Sequence, residues 1–208
     1  MANETLRIPT RESGLEYTSD MLYGDQKEVV TVVMNTLHDF MTMDDLSNFK
    51  PLRMIINGQG GSGKSVVINT IVTMMRKMFD YNEVVKVLAP TGTAAFNVQG
   101  ETFHHYLSMP VKKSGDVGKM TESKRQALVA KTKFLMGLIV DERSLLSSRT
   151  LGTAEDMISS TIFEGGHINS KSWGGLPIVI LVGDDYQLPG VGDGAFTALY
   201  SRYGSKMS

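Results

Sequence analysis

The sequence contains no cysteine. This excludes disulfides and thiolate metal sites, and it suits a reducing interior compartment. No run of about 18 apolar residues occurs, so no transmembrane helix is expected. The opening residues, MANETLRIPTRES, lack the apolar core of a secretory signal. Net charge is nearly absent as well: 21 basic side chains against 22 acidic ones leave −1 at pH 7. A globally basic nucleic-acid binder is therefore not indicated. There is no internal repeat and no low-complexity tract. The expectation is an intracellular globular chain whose compartment, nucleus or cytoplasm or nucleoid, stays open. Its 208 residues suit one α/β domain. A content of 41% hydrophobic and 21% charged residues is ordinary for such a domain.

Charge is uneven along the chain. Residues 1–50 hold nine acidic and four basic side chains. Residues 111–133 hold Lys112, Lys113, Lys119, Lys124, Arg125, Lys131 and Lys133 against Asp116 and Glu122. Such a segment either meets phosphates or is a solvated linker and helix face. Both readings stay open.

Hydrophobic spacing sets out the elements. Residues 1–20 read as a loosely ordered lead-in. Asp25 and Glu28 are spaced as a capping box, and Val30, Val33, Met34 and Leu37 recur at helical spacing, which predicts a helix over 25–42. LRMIING predicts a short apolar strand running into the glycine loop. Ile68, Ile71, Val72, Met75 and Phe79 mark a second helix. VVKVLA (84–89) predicts another strand, followed by a turn and short helix in PTGTAAFN. A loop is expected over 108–120 and a helix over 121–131, so 108–133 reads as a basic insert. FLMGLIV (134–140) predicts a third strand, a helix follows to about 160, and residues 163–175 are turn-rich. PIVILVG (177–183) predicts the fourth strand. Apolar runs alternating with helices imply an α/β fold, a parallel sheet with helices on both faces. In such sheets chemistry gathers at the carboxyl ends of the strands.

Two of those ends carry a recognisable pattern. GQGGSGKS (58–65) fits G-x-x-x-x-G-K-[ST] between a strand and a helix. Glycines at Gly58, Gly60, Gly61 and Gly63, with Ser62 among them, let the backbone wrap around phosphate oxygens with its N–H groups inward. The following helix adds the positive end of its dipole. Lys64 is placed to reach the β- and γ-phosphates of ATP, and Ser65 to ligate Mg²⁺. The second pattern is LIVDERS, an apolar strand ending in two acids. Asp141 is the candidate Mg²⁺ carboxylate and Glu142 the base that activates water. A carboxylate directly after the metal acid favours hydrolysis over phosphate transfer to another molecule.

Four segments together resemble superfamily 1B DNA helicases of the PIF (petite integration frequency) type, relatives carried by Helitron transposons included. They are LYGDQ before the first helix, APTGTAAFNVQGETFHHYL (89–107), DERS, and GDDYQLPGV (183–191). RecD-type helicases are more distant. The resemblance implies a P-loop NTPase fold with a RecA-like lobe over 21–208. It implies that Gln26 reads the adenine edge, with Tyr23 packing on the base or in the core. It implies that Gln187 senses the γ-phosphate. Thr91, Gly92, Thr93, Asn97, Thr102 and His104 would line a track for single-stranded DNA, the implied partner. Phe96 and Phe103 are expected in the core, and Trp173 is expected to pack. Two positions depart from the pattern: Arg143 stands where an apolar residue is usual, and Gly190 replaces a second proline.

Helicases of this type have two RecA-like lobes, and no segment of this chain supplies the second, with its arginine finger. A catalytic arginine of that kind is worth roughly 10³–10⁵ in rate. The expectation is that the isolated chain binds Mg·ATP, hydrolyses it very slowly and does not unwind duplex. Two rival readings are a stand-alone P-loop ATPase with no nucleic-acid role and a degenerate lobe serving as an interaction surface. Steady-state ATPase assays with single-stranded DNA check this: turnover typical of a complete helicase would contradict it.

Overall fold

Val30, Val33 and Leu37 share one stripe of a helical repeat, and burial of that stripe makes residues Asp25–Thr42 the first helix, α1. A computed structural model describes residues 17–109, 121–162 and 172–184. The start of α1 differs from the expected capping box. Asp25 is the first helical residue, and Gly24 occupies the cap position at φ 45°, a backbone that favours glycine. The side chain that reaches back belongs to Gln26, whose Oε1 accepts the Tyr23 amide at 3.2 Å.

The four apolar runs and one polar dipeptide form the five parallel strands found among the described residues: β1 (Leu52–Asn57), β2 (Val85–Ala89), β3 (Glu101–Thr102), β4 (Gly137–Val140) and β5 (Ile178–Gly183). Their order across the sheet is β1-β5-β4-β2-β3. The remaining helices are α2 (Lys64–Phe79), α3 (Gly92–Asn97), α4 (Phe103–Tyr106), α5 (Glu122–Thr132) and α6 (Ser148–Ile162). The two-residue β3 carries too short a pattern to be read from sequence. The strand expected at 134 begins at Gly137, because the Leu135 amide still closes a turn onto the Thr132 carbonyl at the end of α5. Phe134 is left outside, edge-on against Tyr81 with ring centres 5.7 Å apart.

Period-two alternation divides the core between the two faces of the sheet. Val85, Val87, Ile139, Ile178, Ile180 and Val182 pack on α1 and α2. Leu88, Leu138, Val140, Val179 and Leu181 pack on the other side against α4, α5, α6 and Trp173. Helices thus cover both faces, as the apolar runs predict. Trp173 is buried, which agrees with a packing role.

Of the two phenylalanines expected in the core, only Phe103 lies there, at 0% exposure; Phe96 is 62% exposed. The reason is the brevity of α3. Its six residues turn Ala94 and Ala95 inward, and position 96 falls on the opposite face. Among the described residues no helix is long and apolar enough to cross a membrane.

Phe103→Ala is expected to destabilise the domain by about 3–5 kcal/mol, the usual loss for a fully buried aromatic ring. Urea unfolding measures this; a loss under about 1 kcal/mol would contradict the packing described.

Candidate functional site

Because β5 lies between β1 and β4, the residues that follow these three strands meet at one end of the sheet. Gly58–Gly63 joins β1 to α2. Gly61 and Gly63 take φ of 78° and 85°, values that a Cβ would strain. A Cβ on Gly63 would also stand 2.6 Å from Nε2 of Gln26. The first amides of α2 have no intrahelical acceptors, so this end of the helix is an anion site by construction.

The loop is fastened on both flanks. The Gly58 amide donates to the Gly183 carbonyl at 3.1 Å, and the Gly60 amide donates to Oδ2 of Asp184 at 3.1 Å. On the far flank Nε2 of Gln26 donates to the Ser62 carbonyl at 3.0 Å. Lys64 folds over the loop, its Nζ donating to the carbonyls of Gly58 and Gln59. Ser65 is exposed in the first turn of α2. Tyr23 is exposed beside Gln26, at 79%, so the core-packing option for Tyr23 is not realised.

Asp141 follows β4 and is buried, with its amide bonded to the Leu88 carbonyl at 2.9 Å. Burial pushes its carboxyl above the ordinary value. The Glu142 amide opposes that shift, the Glu142 charge adds to it, and the Lys64 charge opposes it. Lys64 and Asp141 therefore feel each other across the strand end. Glu142 sits at φ 52°, ψ 42°, a left-handed backbone rare for a residue with a side chain, costing of order 1–3 kcal/mol. Arg143 is buried at 1%. A Cβ on Gly183 would stand 2.6 Å from Cγ of Arg143. The alkyl stem of Arg143 thus fills space against β5, as an apolar residue would.

A magnesium ion fits these donors. One buried carboxylate, one serine hydroxyl and a phosphate loop are the kind of donors Mg²⁺ uses, since it keeps several waters and borrows substrate oxygens. No cluster of three or more acidic, His or Cys side chains occurs among the described residues, so a protein-only metal cage is not formed there.

The second group of candidates lies at the ends of β2 and β3. Thr91, Gly92, Thr93 and Asn97 are exposed around α3, and Thr102 is half-buried. His104 is exposed too. Two of the threonines have a local duty that sequence reading missed. Oγ1 of Thr91 caps α3 by accepting the Ala94 amide at 3.2 Å, and Oγ1 of Thr102 caps α4 by accepting the His105 amide at 3.2 Å. Each hydroxyl hydrogen remains a donor. Gln187 and Gly190 lie outside the described residues.

Asp184 was overlooked in the sequence. Its signal was present as the first acid of GDDYQLPG, but its contact depends on β5 lying beside β1, and strand order is not written in any local pattern.

A glycine loop between strand and helix, with an acid pair two strands away at the same sheet end, defines a P-loop nucleotide-binding lobe. The sequence profile described as PIF1-like helicase matches residues 21–199, and the chain belongs to that family. It is similar to the ATP-dependent DNA helicase Pif1 of Bdellovibrio bacteriovorus, 33% identical over 139 residues, covering 66% of this chain and 29% of that protein. It is also similar to the ATP-dependent DNA helicase PIF4 of Trypanosoma brucei brucei, 36% identical over 140 residues, covering 65% of this chain and 16% of that protein. The chain thus spans less than a third of either relative. Among solved structures, Pif1 helicase from Bacteroides in complex with ADP-AlF3 and ssDNA aligns with a TM-score of 0.52 and 26% identity, over 80% of this chain and 34% of that one. The fold is accordingly RecA-like.

The raised carboxyl of Asp141 sets a pH dependence. Its proton is held more tightly in the folded chain than in the unfolded one, so its ionisation opposes folding. That penalty is complete above the folded value and vanishes below the ordinary 3.8. Without nucleotide, Asp141→Asn should therefore raise the urea midpoint near neutral pH, and the gap from wild type should close in acid. An equal gap at both pH values would contradict this.

Proposed function

We propose that this chain is the ATP-binding first lobe of an ATP-dependent DNA helicase. In the full-length protein, ATP hydrolysis would drive translocation along single-stranded DNA, 5′ to 3′ by family resemblance, and so separate duplex. One observation carries this reading: the phosphate loop after β1 and the acid pair after β4 stand at the same end of the sheet, separated only by β5, to which the Gly58 amide is bonded through the Gly183 carbonyl.

The division of labour follows from position. Backbone amides of Gly61, Gly63, Lys64 and Ser65 cradle the phosphates. Lys64 exchanges its two carbonyl partners for phosphate oxygens, a stronger charge-assisted pairing. Ser65 and Asp141 would hold a Mg²⁺, which would supply Lewis-acid stabilisation of the charge on the phosphate oxygens. Glu142 orients water for attack on the γ-phosphorus and takes its proton, and its strained backbone fixes the direction of that carboxylate. ADP and inorganic phosphate are the products. Gln26 is held between the loop and Tyr23, where its remaining amide valences suit an adenine edge.

Single-stranded DNA is the proposed partner of the exposed surface around α3 and α4. Hydroxyls, an amide and an exposed ring suit contacts that ignore base sequence. A second RecA-like lobe would complete both the ATP cleft and the DNA track. The other reading, an ATPase with no nucleic-acid role, predicts no affinity for DNA at all.

Fluorescence anisotropy with a labelled thymidine oligomer separates the two. Salt-sensitive binding is expected, weakened roughly tenfold by Asn97→Ala with His104→Ala, about one to three kcal/mol for lost contacts of this class. No binding at low salt would favour the second reading. Lys64→Ala should abolish retention of Mg·ATP in a chain that still folds, which circular dichroism checks.

A further inference from the structure

We propose that Asp184 is a positioning residue for the phosphate loop, resting on the nucleotide-binding reading above and adding a residue to it. Asp184 is the first residue after β5 and is 4% exposed. A carboxylate at that depth persists only with hydrogen-bond partners. One of its partners is the Gly60 amide, 3.1 Å from Oδ2.

The geometry gives that bond more than local weight. Gly60 sits at the crown of the loop, and a Cβ there would meet nothing within 4 Å. Side-chain packing therefore does not hold the crown in place. Glycine also contributes the most backbone entropy to be lost on ordering. Hydrogen bonds do the work instead: the Gly58 amide on the Gly183 carbonyl, the Gly60 amide on Asp184, the Ser62 carbonyl on Gln26, and the Gly58 and Gln59 carbonyls on Lys64. The Asp184 bond is the one made by an acidic side chain, and bonds of this kind are about twice as strong as neutral ones. Asp184 also orients the loop. The Gly60 amide is turned towards Asp184 beyond β5, and the Ser62 amide closes a turn onto the Gln59 carbonyl, which leaves the amides of Gly61, Gly63, Lys64 and Ser65 for a triphosphate. Asp184 is assigned to the backbone of the loop, through Gly60, and not to the reacting atoms.

The chemistry makes a discriminating prediction. An amide oxygen accepts the same N–H bond as a carboxylate oxygen, so Asp184→Asn preserves the clip and Asp184→Ala removes it. Calorimetric titration with Mg·ATP should show Asp184→Ala binding roughly tenfold more weakly than wild type, the size expected for losing one charge-assisted bond that preorganises a site. Asp184→Asn should stay within about threefold of wild type. In amide spectra with glycine labelled by nitrogen-15, the Gly60 signal should move in Asp184→Ala and largely return in Asp184→Asn. A structural role alone would not produce that return.

Equal affinity of wild type and Asp184→Ala would overturn the proposal. So would an Asn variant as weak as the Ala variant, since charge rather than the bond would then be the cause. Should Asp184→Ala not fold, hydrogen exchange on wild type decides: protection of the Gly60 amide supports the clip, and exchange at the free-peptide rate overturns it. If wild type itself binds no Mg·ATP, the nucleotide-binding reading has failed instead, which the first titration reveals.

Discussion

The pairing of β5 between β1 and β4 is the constraint on which the rest depends. β1 carries the phosphate loop and β4 carries the acid pair. Neither strand touches the other, and only β5 sets their distance and register. The backbone ladder continues past the strand ends, where the Gly58 amide still bonds to the Gly183 carbonyl. The glycine loop is thus mounted on the hydrogen-bonded sheet, and its glycines do not have to find their own place.

The apolar faces of the sheet make that mounting possible. β4 and β5 are buried on both sides, and their side chains divide evenly between two helix layers. Burial of this kind leaves the polar strand ends as the only outlet for function, because a parallel sheet has no free face. The same logic explains Arg143. An arginine whose stem packs on Gly183 holds the turn after β4 against β5, so a departure from the apolar residue usual at that position leaves the architecture intact.

Much of this was legible in the residues. Helical spacing of Val30, Val33 and Leu37 gave α1 within its observed bounds, and the glycine–lysine–serine pattern fixed the start of α2. What was not legible depended on distance along the chain. The start of α1 was misread because a capping box needs only spacing, whereas the observed cap needs Gly24 in a left-handed turn and Gln26 reaching two ways. Phe96 was misread because hydrophobicity alone says nothing about which way a six-residue helix faces. Asp184 was missed because its contact joins residues 124 positions apart. The capping bonds of Thr91 and Thr102 were hidden beneath an expectation of DNA contact, and both threonines carry a structural duty that loss of the side-chain oxygen will disturb.

The central claim is that the phosphate loop and Asp141 converge on one cation beside a bound triphosphate. Calorimetric titration of ATP with and without Mg²⁺, in wild type and Asp141→Asn, tests it most directly. Wild type should gain affinity when the metal is present, and Asp141→Asn should lose most of that gain while binding metal-free ATP as well as wild type does. An undiminished magnesium effect in the asparagine variant would contradict the account.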